Sequence, residues 1–327
     1  MQENINERDS ERDGDEIDTG DSTGSGAANG HRAGYIAVVG RPNVGKSTLV
    51  NALIGHKVAI VSKKPQTTRR RILGILSNEQ AQILFVDTPG VHRPQQALNK
   101  HMMREVTAAL EDCDAILFVV DVSEPPNKED ERVAEMILKR PAPKFLALNK
   151  SDRLDAVDVM EHTRLYESLL GEPSTRPETD KWMLTSGTRG DNLDKLRQML
   201  IAALPAGPEF YPAEQYTDQT ERMLAAEFVR EQTLHFLQQE VPHAVAVSVD
   251  EYTQRNAKTV YIAATIFVER DTQKGILIGS GGQMLKKIGA EARKAIEAEV
   301  NANVFLELWV KVREKWRDDE RAVAELI

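Results

Sequence analysis

Gly40-Arg41-Pro42-Asn43-Val44-Gly45-Lys46-Ser47 fits the spacing G-x-x-x-x-G-K-[ST]. Such a run does one kind of chemistry. Its glycines let the backbone curl until consecutive N–H groups face phosphate oxygens. Its lysine reaches the β- and γ-phosphates, and its hydroxyl ligates Mg²⁺. An apolar run at 35–39 precedes it and a helical pattern starts at Lys46, so the loop joins a strand to a helix, as that chemistry requires. A nucleoside triphosphate site is therefore expected, with Asn43, Val44, Gly45, Lys46, Ser47 and Thr48 around the phosphates.

Four further clusters bear on which nucleotide binds and what happens to it. Asn149-Lys150-Ser151-Asp152 follows the apolar run 145–148 and resembles the guanine-specificity motif of GTPases. Asp152 can accept hydrogen bonds from guanine N1 and N2, a donor pair that adenine lacks. Asn149 can bond the base edge and tie loops together, and the Lys150 stem can lie along the ring. Thr185-Ser186-Gly187 is expected beneath the base with backbone N–H groups toward O6, although related GTPases usually carry alanine where Gly187 stands. Asp87-Thr88-Pro89-Gly90 closes the run 83–86. There Asp87 would hold Mg²⁺ through water and the Gly90 N–H would sense the γ-phosphate. In Pro65-Gln66-Thr67-Thr68-Arg69 one threonine should close on Mg²⁺, and the Pro-x-x-Thr-Arg pattern favours Thr68 over Thr67.

The expected catalytic groups are Lys46, Thr68, Gly90 and Asn43. Val91 occupies the position where Ras-like GTPases place the glutamine that orients the attacking water. Valine cannot orient water, so slow intrinsic turnover is expected and help must come from elsewhere. Asn43 is either a turn-former or, as in some relatives, part of a potassium site beside the phosphates. His92 reads as a surface loop residue rather than as the base.

These residues need elements to position them. Apolar runs at 35–39, 83–86, 115–120, 145–148 and 182–184 alternate with helical patterns, which is the rhythm of an α/β domain with a mostly parallel sheet and crossover helices. The rhythm stops near Leu204, where Pro205, Gly207, Pro208 and Pro212 mark a linker. The expected organisation is an acidic disordered tail (1–33), a GTPase-type domain (34–204), a linker (205–216) and an α+β domain (217–327). In the last of these, a helix over 220–238, strands at 243–249 and 258–268 joined by a turn at 251–257, a helix–turn–helix over 272–300 and a strand at 304–312 give the order α-β-β-α-α-β.

Within that second domain, Ile278-Gly279-Ser280-Gly281-Gly282-Gln283-Met284-Leu285 resembles the G-x-x-G loop of KH domains, which clamps about four nucleotides of a single strand. The element order matches the type II KH topology. Lys274 before the loop and Lys286 and Lys287 after it supply charge. Residues 270–315 hold nine basic and six acidic residues, a local net of +3. The expected RNA contacts are Lys274, Ile278, Gly279, Ser280, Gly281, Gly282 and Lys286, with Ile276, Ile278, Leu285 and Ile288 as an apolar wall behind the bases. Trp309 and Trp316 could stack on RNA, but buried or capping roles are expected for both.

Composition sets bounds. Of the net charge of -9, the first 30 residues carry -7, so the remainder is nearly neutral and compatible with an anionic partner. Cys113 is the only cysteine, which excludes an intramolecular disulfide and a cysteine zinc site. No apolar run approaches the ~20 residues of a membrane span and no secretory core is present, so a cytosolic protein is expected. The absence of heptads favours a monomer.

The combination resembles the Era family of bacterial ribosome-assembly GTPases over roughly residues 34 to 316. Gln66-Thr67-Thr68-Arg69, Asp87-Thr88-Pro89-Gly90-Val91-His92, Lys274-Gly275-Ile276-Leu277-Ile278-Gly279 and Ile288-Gly289 with Glu291-Ala292-Arg293 are close to that family's wording. Gly187 departs from it, as does Ser280-Gly281, where a basic residue is frequent. The resemblance implies a GTP/GDP switch using Mg²⁺, and K⁺ through Asn43, that binds the 3′ end of 16S rRNA and serves the 30S ribosomal subunit. It also implies peripheral inner-membrane association, for which no membrane-seeking helix is visible. Two alternatives stand beside it: an RNA-binding protein whose nucleotide is structural, and a related GTPase acting on tRNA modification or large-subunit assembly.

Overall fold

The computed structural model describes residues 30–62, 64, 66–91, 96–171, 177, 180–237 and 241–327. Most of the expected acidic tail, Pro65 and His92 lie outside the described residues. The first strand begins at Arg32, so Arg32 and Ala33 belong to the sheet and not to the tail. Apolar pairing takes precedence over composition there, because Ala33 is buried and pairs with Gln82.

The first domain runs β1 (Arg32–Val39), α1 (Lys46–Ile54), β2 (Ile72–Ser77), β3 (Ala81–Asp87), α2 (Ala97–Glu111), β4 (Ala115–Asp121), α3 (Lys128–Leu138), β5 (Lys144–Asn149), α4 (Val159–Ser168), β6 (Lys181–Leu184) and α5 (Leu193–Ala203). Among the described residues the strands order as β2-β3-β1-β4-β5-β6, with every pair parallel except β2 with β3. Strands β3, β4 and β5 are buried at every position, which follows from helices covering both faces and explains their unbroken apolar runs. One face packs α1 and α5 through Leu49, Leu53, Leu196 and Leu200, the other α2, α3 and α4 through Val106, Ile137 and Tyr166. The five strands that run parallel deliver their carboxyl ends to one edge, where ligands collect in such sheets.

Strand β2 was not anticipated, since Gly74 interrupts its apolar run and arginines precede it. The connection expected as a linker lies along the sheet. Gln82 Oε1 accepts the N–H groups of Phe210 (2.7 Å) and Tyr211 (3.0 Å), and the Ile75 N–H donates to Tyr216 O at 2.9 Å. The segment thus covers the free edge of β2, a feature of well-behaved sheets.

The second domain follows as α6 (Glu221–Phe236), β7 (Ala246–Asn256), β8 (Thr259–Val268), α7 (Asp271–Ile278), α8 (Gln283–Val300) and β9 (Asn303–Val312). Its sheet orders β7-β8-β9, antiparallel then parallel, as a type II KH domain requires. The expected turn at 251–257 is a correction: β7 continues through it, and only 257–258 turn. A register shift between Val249 and Glu251 blurs the period-2 pattern that would have revealed the strand. A short α9 (Glu320–Leu326), also unanticipated, docks on α2: Ala322, Val323 and Leu326 bury against Leu98 and Met102. Trp316 is fully buried in that cluster, its indole N–H bonded to Ala244 O at 2.9 Å, whereas Trp309 is 60% exposed, against expectation. No helix among the described residues is long and apolar enough to cross a membrane.

Candidate nucleotide site and nucleic-acid interface

The loop after β1 forms as its sequence requires. Lys46 is buried, and its ammonium bonds back to the carbonyls of Gly40 and Arg41, each at 3.1 Å, so it spans the loop. Burial lowers its pKa to about 8, opposed by Asp87. A bound triphosphate would raise it again by supplying the missing negative charge. Arg41 braces the loop from outside through a 3.1 Å ion pair to buried Asp130, which also closes the capping box of α3.

Three oxygens converge beside Lys46. Ser47 Oγ lies 2.9 Å from Thr68 Oγ1 and donates to Asp87 Oδ2 at 2.7 Å, and Thr68 Oγ1 donates to the same atom at 3.1 Å. Asp87 Oδ1 is buried without a partner among the described residues. Burial pushes the Asp87 carboxyl up, against the pull of Lys46 and the two hydroxyls. Two hydroxyls and an under-satisfied buried carboxylate form a hard-oxygen donor set that fits Mg²⁺. Thr67 stands apart: its hydroxyl donates to Lys64 O at 2.9 Å.

Gly90 closes the phosphate side. Val91 is 4% exposed and packs into the core behind the sheet, with its N–H on Gly40 O at 3.2 Å. It cannot touch a water at the phosphates. Asn43 is exposed, with a left-handed φ of 64°, and its side chain borders both the phosphate end and the base end of the groove.

The base end is a cavity of 410 Å³ lined by Thr48, Asn149, Lys150, Asp152 and Gly187, together with Val61 and Ser62. Asn149 has both amide atoms engaged, Nδ2 donating to Val44 O (2.8 Å) and Oδ1 accepting the Gly187 N–H (3.1 Å). It therefore ties three loops together, as expected, and its second Nδ2 hydrogen stays available to the cavity it lines. The Gly187 N–H is likewise directed to Asn149. Lys150 is held by Asp121 at 2.5 Å, with its stem along the cavity. Ser186 Oγ donates to Asp152 Oδ1 at 2.6 Å, which holds that carboxyl below its usual range.

Sequence reasoning missed Asp121, Val61 and Ser62. Asp121 was findable, as the last residue of a buried apolar strand next to β5. It also missed the hold that the second domain takes on the loop carrying Thr68. Arg230 of α6 donates to Thr67 O, and buried Arg69 donates to His243 O (3.2 Å) and Val245 O (2.5 Å) while lying over Trp316. Glu231 of α6 accepts the Val61 N–H at 2.9 Å and pairs with Lys57.

In the second domain the loop between α7 and α8 has Gly279, Gly281 and Gly282 at φ 72°, 58° and 78°. A Cβ at Gly279 would stand 2.7 Å from Met284 Cβ, while Gly281 and Gly282 face open space, so a backbone phosphate can approach there. Beside the loop a groove of 490 Å³ runs between α8 and β9, lined by Gly282, Leu285, Lys286, Arg293, Leu306 and Leu308. Ile288 faces the core and Ile276 is 53% exposed, so the apolar wall is built from Leu285 and β9 instead of the expected isoleucines. Ile278 and Lys274 sit on α7 beside the loop, and Ser280 is exposed within it. Lys287 lies over the Phe236 ring at 4.5 Å, outside the groove. Arg293 was missed; it is seven residues from Lys286, on the same face of the helix.

The profile of the 50S ribosome-binding GTPase family matches residues 35–150 and that of the KH domain family residues 240–317. The chain is 44% identical over 286 residues to GTPase Era of Heliobacterium modesticaldum (strain ATCC 51547 / Ice1), covering 88% of this chain and 93% of the relative. It superposes with a TM-score of 0.84 on a crystal structure of an Aquifex aeolicus Era variant bound to GDP·AlF₄⁻, at 37% identity over 90% of this chain and 98% of the other. A crystal structure of Era with MgGDPNP and nucleotides 1506–1542 of 16S ribosomal RNA gives 0.85, at the same identity and coverage.

Proposed function

The chain belongs to the Era family of GTPases, and from that premise we propose that it is a GTP-hydrolysing switch that binds the 3′ end of 16S rRNA through its KH domain and assists maturation of the 30S subunit. Residues 32–204 are the GTPase unit and 217–327 the RNA-binding unit, joined by the pinned segment 205–216. It acts in the cytoplasm as a monomer, with peripheral contact to the inner membrane.

The observation that carries a switch is the double hold on residues 67–69. Thr68 belongs to the cation cluster, while its two neighbours are gripped by α6 and by the carbonyls ahead of β7. A γ-phosphate that draws Thr68 inward must move groups that the KH domain also holds. Affinity for a single-stranded fragment of the 16S rRNA 3′ end should therefore be higher with a non-hydrolysable GTP analogue than with GDP. Filter binding measures this, and equal affinities would favour a structural nucleotide.

At the reacting end, Lys46 and the loop N–H groups would balance phosphate charge, and the Gly90 N–H would sense the γ-phosphate. Ser47 and Thr68 would hold Mg²⁺ directly and Asp87 through water; the ion neutralises charge on the phosphate oxygens when bound. Because Val91 is buried, water orientation falls to other groups. The exposed Asn43 amide supports a potassium site there, whose charge would act as an arginine finger does. Hydrolysis is expected to be faster in K⁺ than in Na⁺ at equal ionic strength, and Asn43→Ala should remove the difference. Equal phosphate-release rates in the two salts would refute the potassium role.

A further inference from the structure

The outer face of the KH sheet carries a surface that the groove does not use. In β9, Val304, Leu306 and Leu308 pack toward the helices, and Phe305, Glu307, Trp309 and Lys311 alternate onto the opposite face. One end of that face is covered, where Phe267 of β8 packs with Trp316 and α9. The other end is bare: Phe305 is 53% and Trp309 60% exposed. Phe305 stands opposite Tyr261 in register, their rings stacked at 5.9 Å. The exposed Arg255 guanidinium lies 4.3 Å over Tyr261 and 5.8 Å from Phe305, and the Tyr261 hydroxyl is fixed on Glu307 at 2.7 Å.

β9 is an edge strand, where sheets usually present charge and avoid bare aromatics. An exposed aromatic row there marks an interaction surface. Two observations select the occupant. Phe305 also lines the groove beside the G-x-x-G loop, so the row continues the groove around the strand edge. Stacked aromatics interleaved with exposed Arg255 and Lys311 are the equipment of a base-stacking platform, in which every base offers a π-face and cations take phosphates. An apolar protein segment would desolvate the charges of Arg255 and Lys311 and offer them no anion in return.

We propose that nucleotides flanking those in the groove wrap over the β9 edge and stack on Phe305 and Trp309, with Arg255 and Lys311 beside their phosphates. This rests on the RNA-binding reading above and extends its footprint beyond about four nucleotides.

The test compares a four-nucleotide RNA with one of about twelve in the full-length, GTP-analogue-bound protein. The longer RNA should bind more tightly. Trp309→Ala should weaken the longer RNA by about tenfold to a hundredfold and leave the shorter one unchanged. Trp309→Phe should retain most of the affinity, and Phe305→Ala should also weaken the longer RNA. The exposed positions predict unaltered thermal unfolding, which is checked in parallel. Equal affinity of the two RNAs for the wild type overturns the platform. So does an unchanged twelve-mer affinity in Trp309→Ala, or an equal loss for both lengths. A change in sedimentation with RNA affinity intact would show a second copy of the chain on this face and overturns it too. If the wild type binds neither RNA, the RNA-binding reading itself fails, a result distinct from these.

Discussion

Replacing Asp152 by asparagine should lower GTP affinity by about a hundredfold to ten-thousandfold, the cost of losing two hydrogen bonds to a charged acceptor. The carboxylate stands at the base end of the groove, oriented by Ser186 Oγ at 2.6 Å and held ionised by that bond. Guanine offers N1–H and N2–H₂ to it. Asparagine keeps one acceptor and brings a donor, so an N–H then faces an N–H. Xanthosine triphosphate, with a carbonyl in place of the 2-amino group, restores the match and should regain most of the affinity. Asp152 is only half-buried, so the nucleotide-free protein should unfold at an unchanged temperature. Displacement of a fluorescent guanine nucleotide measures both constants. Unchanged GTP affinity, or no gain with xanthosine triphosphate, would remove Asp152 from base recognition.

Gly90→Ala should cut the rate of GTP hydrolysis by about a hundredfold to a thousandfold, as removal of one fixed transition-state donor does, while GDP binds almost normally. An added Cβ would stand 2.8 Å from Pro42 N, Cα and Cγ. These atoms belong to the backbone and ring of the phosphate loop, which cannot yield as a flexible side chain can. The neighbouring bond from the Val91 N–H to Gly40 O would break, and the Gly90 N–H would swing away from the γ-phosphate. GDP, which has no γ-phosphate, would not register the loss. Because α2 begins a few residues later and carries α9 of the KH domain, RNA affinity should also stop distinguishing the GTP analogue from GDP. Single-turnover phosphate release at wild-type rate would show that the glycine is not needed there.

Much of the molecule was legible before any coordinates. The phosphate loop, the Asp87 and Asn149 clusters and the G-x-x-G loop are each built from consecutive residues, so the chemistry they offer is written in short runs. The alternation of apolar runs and helical patterns implied a mostly parallel sheet, because strands covered on both faces are apolar throughout. Where local signals were weak, the reading failed. Gly74 hid β2, the shifted register near Asp250 hid half of β7, and the short α9 is stable only against α2.

What the sequence alone determined is which chemistry the chain carries: a strand–loop–helix turn aims its own backbone N–H groups at phosphate, and Asp152 can match only a base with a donor pair. What the tertiary structure alone decided is how those parts are joined. It brings Thr68 to Ser47 and Asp87, fixes Asn149 between the Val44 and Gly187 loops, and buries Val91. It also places Arg230, Arg69 and Glu231 across the domain boundary and leaves Trp309 bare beside the groove. The physical reason is range. Bonds between neighbours follow from residue type and backbone geometry. Contacts between residues 19 to 176 positions apart exist only once packed cores have set where each surface lies.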